Sequence, residues 1–145
     1  MNVLVDTSVW SLALRRKAKD LNAVEKHLVA ELAELIKEGR ALLLGFVRQE
    51  LLSGIKTREQ FEKLRTILRE FPDHTIDTVD HEEAAKASNE CRGRGIVVSV
   101  VDVLICAVAI RHDLGIFTVD PDFNHYARVL PIKLHKARDF TTKGY

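Results

Sequence analysis

Short aliphatic runs alternate along the chain with stripes at helical spacing. The runs Asn2–Val5, Ala41–Gly45, Thr75–Val79, Ile116–Val119 and Val129–Leu134 read as strands. Three of them are almost continuously aliphatic, as strands covered on both faces are. Pro131 has no N–H to give to a ladder, so the last run is an edge strand at best. Between the runs, Leu21, Val24, Leu28, Leu32 and Leu35 recur with helical period, and Gly39 follows as a stop. Phe61, Leu64, Leu68 and Phe71 form a second stripe. It is opened by Thr57 three residues before Gln60, a capping-box spacing, and closed before Pro72. A third helix is expected to open at Asp80, which caps it, with Glu83 three residues on. A fourth spans about Ser99 to His112. This alternation predicts a three-layer α/β/α sandwich around a central, mostly parallel five-stranded sheet. No repeat, low-complexity tract or linker interrupts it, so residues 1–145 read as a single domain.

Most of the 21 acidic residues suit solvated faces or helix caps. Four do not. Asp6 ends the run Val3-Leu4-Val5 in "VLVDTSVW". Taken alone it reads slightly better as a cap for a helix starting near Ser8, although Thr7 or Ser8 could cap as well. Glu50, in "VRQELLSGI", shares a helical face with Val47, Leu51 and Gly54, on the edge of the apolar stripe. Taken alone, Glu50 reads better as an ordinary surface glutamate with its stem along the apolar edge. Asp102 is the only charge in "IVVSVVDVLICAVAI". A helix apolar on every side is a central one, and a carboxylate within it is costly unless paired or metal-bound. Ser99 three residues earlier offers a capping box, compatible with either role. Asp120 ends the strand in "LGIFTVDPDF", with capping of a helix begun by Pro121 as its ordinary role. Asp122 fits a first-turn acid beside the helix dipole.

Ligands of open parallel sheets bind beyond the carboxyl ends of the strands, where strand order reverses. Asp6 and Asp120 both sit at such ends. Glu50 and Asp102, placed near the starts of two helices, can reach the same crevice. Four carboxylates in one cleft repel one another unless a cation is present. Mg²⁺ or Mn²⁺ accepts oxygen ligands with few direct carboxylates per ion. Such a site suits water activation for in-line attack on a phosphodiester.

Composition narrows the picture. At 145 residues, 46% hydrophobic and 30% charged, the chain is long and apolar enough for a real core. A net charge of +1 leaves any basic surface local. Two cysteines without a CxxC pair argue against a disulfide framework. With no leader pattern at Met1 and no apolar stretch of membrane-spanning length, a cytoplasmic protein is expected. The six histidines are scattered without HExxH, against a zinc hydrolase. GxSxG is absent, against a serine hydrolase. A haloacid-dehalogenase-type phosphatase would need Asp where Ser8 stands.

In order, "VDTSVW", "RQELLSG", "SVVDVLICAVA" and "GIFTVDPDF" resemble the PIN-domain ribonucleases, and within them the VapC toxins of type II toxin–antitoxin systems. The resemblance spans nearly the whole chain. It implies that Asp6, Glu50, Asp102 and Asp120 form the acidic catalytic quartet, with Asp6, Asp102 and Asp120 holding Mg²⁺ or Mn²⁺ directly or through water. Glu50 would be a ligand or would orient the attacking water. Ser8 and Thr118 become supporting hydroxyls and Asp122 an auxiliary acid. The expected activity is metal-dependent endoribonuclease cleavage of RNA, leaving 5′-phosphate and 3′-hydroxyl ends. A homodimer and a VapB-like antitoxin, whose C-terminal segment enters the site, are the implied partners. Cys106 stands where the family often has Ala, and packing rather than thiol catalysis is expected of it. Arg15, Arg16, Lys17, Arg92 and Arg94 are candidate phosphate contacts, each equally at home at a solvated helix end. Trp10 could stack a base, but Leu14 one turn on favours the core. The contrasting reading is a non-catalytic PIN-fold module whose acidic pocket binds a basic partner segment.

Overall fold

The computed structural model describes residues 1–139. The last six positions of the expected domain lie outside the described residues. Four strands form the sheet: β1 (Val3–Val5), β2 (Ala41–Leu42), β3 (Gly115–Phe117) and β4 (Lys133–Leu134). Their order is β2-β1-β3-β4, and all neighbours are parallel. Seven α-helices accompany them: α1 (Thr7–Leu14), α2 (Ala23–Lys37), α3 (Gly45–Leu52), α4 (Arg58–Leu68), α5 (Thr78–Gly93), α6 (Val100–Arg111) and α7 (Asp122–Tyr126). The α/β class and the parallel sheet are as expected. Among the described residues the sheet has four strands rather than five.

The missing strand is the Thr75–Val79 run. Beyond β2 the only link on that side among the described residues is a single bridge from Leu43 to Asp73. The chain then turns into α5, because Asp77 accepts the Asp80 N–H at 3.0 Å and the Asp80 carboxylate returns a bond to the Asp77 N–H. This capping box begins the helix three residues before Asp80, so Asp77 is the cap and Asp80 lies inside the first turn. Asp80 is fully buried and receives Arg111 and His112 from the end of α6, pinning the two helices together. Other strands are shorter than expected. β2 stops because α3 starts at Gly45. Residues 127–130 close the end of α7, with Leu130 N–H bonding Tyr126 O at 2.8 Å, which leaves only Lys133–Leu134 for β4. β4 lies at a sheet edge, with Pro131 just before it.

The helices follow their stripes. Asn22 and Glu25 form a capping box at the start of α2, and Gly39, at φ 69°, ends its exit turn in the left-handed region that glycine tolerates. Thr57 accepts the Gln60 N–H at the start of α4. In α6 every residue from Val103 to Ala109 is buried, which is why its sequence carries no polar face. Trp10 is buried, edge-to-face on Phe71 with centroids 5.0 Å apart, and belongs to the core rather than to a stacking surface. Among the described residues no helix is long and apolar enough to cross a membrane.

Candidate active site

The chain runs β1 to β2 on one side of β1, then returns to place β3 on the other. Strand order thus reverses between β1 and β3, which pair from Val3↔Gly115 to Val5↔Phe117. The next residues, Asp6 and Thr118, leave the sheet side by side.

Asp6 holds the cap position of α1, and its backbone carbonyl accepts the Val9 and Trp10 N–H groups at 3.1 and 3.2 Å. Its side chain caps nothing. Nor do Thr7 and Ser8, as the sequence had suggested: both hydroxyls serve carboxylates instead. Ser8 Oγ donates to Asp6 Oδ2 at 2.9 Å and Thr118 Oγ1 donates to the same oxygen at 2.8 Å. Each hydroxyl in turn accepts a backbone N–H, Val119 onto Ser8 at 3.1 Å and Asp120 onto Thr118 at 3.0 Å. Both protons are committed to Asp6, so the 3.3 Å approach of the two hydroxyls to each other is a contact rather than a further bond. One Asp6 oxygen is therefore fixed from two sides while the carboxylate stays nearly buried, at 8% exposure.

Asp102 stands in the first turn of α6, where Ser99 Oγ accepts its N–H at 3.1 Å. Its carboxylate accepts the Tyr126 hydroxyl at 2.9 Å. Burial pushes the Asp102 carboxyl above the usual range, and the charges of Asp6 and Asp120 push it the same way, against the Tyr126 bond. Tyr126 is itself shifted upward by burial and by its bond to Asp102, so it remains a protonated donor.

Asp120 accepts the Asp122 N–H at 2.9 Å. This is a capping contact, but α7 starts at Asp122 with Pro121 in the cap position, one residue later than expected. The turn brings one oxygen each from Asp102, Asp120 and Asp122 within 4.8 Å of one another. Asp6 is outside that trio but close enough for its charge to act on Asp102. Glu50 is exposed and lies in the last turn of α3, not near its start. The buried Val47 and Leu51 flank it, and Thr7 Oγ1 donates to it at 3.0 Å, tying it to the residue after Asp6.

The basic candidates are exposed. Arg15, Arg16 and Lys17 line a groove at the end of α1 together with Gln60 and Lys63 of α4. Arg92 borders a depression beside Phe46 and Val100, and Arg94 ends α5. Of these five only Arg16 is in an ion pair among the described residues, with Glu25 at 3.0 Å. Cys106 is wholly buried, and burial pushes its thiol far above neutrality, so it cannot act as a nucleophile. Two contributors escaped the sequence. Thr7 meets Glu50 from 43 positions away, a pairing with no local signal. Tyr126 follows Asp122 by four residues, one helical turn, which is a faint but legible cue.

A family model described as the PIN domain matches residues 3–129, which carry β1 through α7 and all of these acids. The chain belongs to the PIN-domain family. Within it, the chain is 32% identical over 130 residues to a VapC ribonuclease of Mycobacterium bovis and to ribonuclease VapC11 of Mycobacterium tuberculosis, covering 88% of this chain and 92% of each relative. Solved structures share the fold at lower identity. FitAcB from Neisseria gonorrhoeae superposes with a TM-score of 0.73 at 23% identity, covering 93% of this chain and 97% of that one. VapBC2 from Rickettsia felis, bound to a promoter DNA fragment, gives 0.71 at 18%, covering 93% and 98%.

Proposed function

We propose that this chain is the toxin of a type II toxin–antitoxin pair. It is an endoribonuclease that hydrolyses RNA phosphodiester bonds with the help of a divalent cation, and a VapB-like antitoxin holds it in check. The observation that carries the reading is the convergence of acids on the β1/β3 reversal, with three carboxylate oxygens within 4.8 Å. The named relatives support the ribonuclease class.

The donors fit a hard cation. They are all carboxylate oxygens, and the upward shift of Asp102 reflects burial and the negative charges of Asp6 and Asp120. Asp6, Asp102 and Asp120 would hold Mg²⁺ or Mn²⁺, with Asp122 adding an oxygen at the rim. The ion supplies polarisation of the phosphoryl group and a more acidic water. The chain does the rest. Ser8 and Thr118 fix one oxygen of Asp6, so that its other oxygen is the free one. Glu50, steadied by Thr7 on the open side, orients the attacking water or adds a ligand. Arg15, Lys17, Arg92 and Arg94 offer phosphate contacts along the RNA, with Arg16 shared with Glu25. The products are 5′-phosphate and 3′-hydroxyl ends. The working unit is a cytoplasmic homodimer, each chain a single domain over residues 1–145.

Sequencing RNA ends after induction in cells tests this. Induction of the wild-type chain is expected to generate new 5′-phosphate ends at defined sites, and Asp102→Asn none. The same new ends from both proteins would overturn the reading. No new ends from either, with tight binding to a small co-encoded protein, would favour the binding module.

A further inference from the structure

We infer that Tyr126 is a positioning residue for the cation site, acting through Asp102. This rests on the proposed metal site.

The geometry carries it. Tyr126 Oη donates to Asp102 Oδ2 at 2.9 Å, from a residue on a different element. The tyrosine ring is buried, at 3% exposure, and packs edge-to-face on the fully buried Phe123 with centroids 5.2 Å apart. The hydroxyl is therefore placed by a rigid, packed ring rather than by a flexible stem. The same short segment carries the other two acids of the trio. Asp120 accepts the Asp122 N–H, and one further turn of helix brings Tyr126. Segment 120–126 thus contributes two of the three clustered oxygens and a clamp on the third, which comes from a different helix, α6. Without the clamp, Asp102 would keep its backbone cap to Ser99, but its carboxylate could rotate away from Asp120 and Asp122. The role parallels that of Ser8 and Thr118 on Asp6: a neutral hydroxyl takes one carboxylate oxygen and sets the plane of the group. Hydrogen-bonding partners of metal ligands characteristically contribute 10–100-fold to metal affinity.

The test uses the full chain and Mn²⁺ alone. Tyr126→Phe deletes the hydroxyl and keeps the ring. Mn²⁺ affinity by calorimetry is expected to fall about 10–100-fold. The unfolding midpoint in chelator should stay close to that of the wild type. RNA cleavage should recover toward the wild-type kcat at saturating Mn²⁺, with KM for RNA unchanged. The role is overturned if Tyr126→Phe binds Mn²⁺ within a few-fold of wild type, or if its affinity falls together with an unfolding midpoint in chelator well below that of the wild type, which would make packing the cause. Wild-type protein that binds no Mn²⁺ would overturn the metal site itself, and this role with it.

Discussion

Asp102→Asn gives the sharpest test of how the acids interact. The substitution removes one charge and leaves an acceptor for the Tyr126 hydroxyl. In the metal-free protein Asp102 is held above the usual carboxylate range, by burial first and then by Asp6 and Asp120. At the 4.8 Å bound of the cluster, two carboxylates repel by roughly 3 kcal/mol at an effective dielectric near 20. Asp102 is only half-buried and the cluster opens to solvent, so about 1 kcal/mol of that survives screening. Removing it should raise the unfolding midpoint in chelator by about 2–4 °C near neutral pH. The pH dependence has a fixed sign. Because the folded pKa lies above the unfolded value of 3.8, the Asp102 contribution to stability is complete below that value and is lost as pH rises through the folded pKa. The advantage of the variant should therefore shrink as the pH is lowered toward the unfolded value. With Mn²⁺ in excess the order should reverse, since only the wild type gains from the ion. Calorimetric melts in chelator and in Mn²⁺, at neutral and acidic pH, read all three effects. A variant that melts below wild type in chelator by the same margin at every pH would refute the electrostatic reasoning.

Thr118→Val removes a donor from Asp6 and the acceptor of the Asp120 N–H. It should cost about 2 kcal/mol in urea unfolding and about 10–100-fold in Mn²⁺ affinity, with Ser8 retaining Asp6 on one side. Glu31→Gln tests a second buried carboxylate, where Glu31 is fully buried and meets His135 at 2.8 Å and the Arg138 guanidinium at 2.9 Å. Burial alone would raise its pKa, but bonds from Arg138 and His135 outweigh this and hold it below 4.5. Its contribution is therefore present above 4.5 and lost as pH falls through the lower folded value. The variant should lose about 2 kcal/mol near neutral pH, because Arg138 is partly exposed and keeps Glu38, and less in acid. Alkylation should leave native protein unmodified and cleavage intact, as Cys91 and Cys106 are both buried.

The sequence made the helices legible because their caps and stripes are local. Ser99, Thr57 and Gly39 all stand where their chemistry requires. The start of α5 is not legible because Asp77, Asp80 and Glu83 offer two overlapping capping boxes, and Arg111 and His112, whose pairing with the buried Asp80 favours the earlier one, lie about thirty residues away. The supposed strand at Thr75–Val79 failed for a related reason: its apolar Val79 is a first-turn helix residue, 41% exposed. Asp6 was ambiguous as a lone acid after a strand. In the structure its side chain makes no cap bond and accepts two hydroxyl donors, an arrangement that a lone acid after a strand does not announce. The bonds of Thr7 to Glu50 and Tyr126 to Asp102 were not legible, since both depend on tertiary placement.

The central claim is that these carboxylates work through a divalent cation to cut RNA. Purified protein incubated with RNA in Mg²⁺ or Mn²⁺, in EDTA, and as Asp6→Asn puts it to the most direct measurement. Cleavage to 5′-phosphate ends in the metal-containing reactions, abolished by EDTA and by Asp6→Asn, is the predicted result. Cleavage that persists unchanged in EDTA and in the Asp6→Asn protein would contradict it.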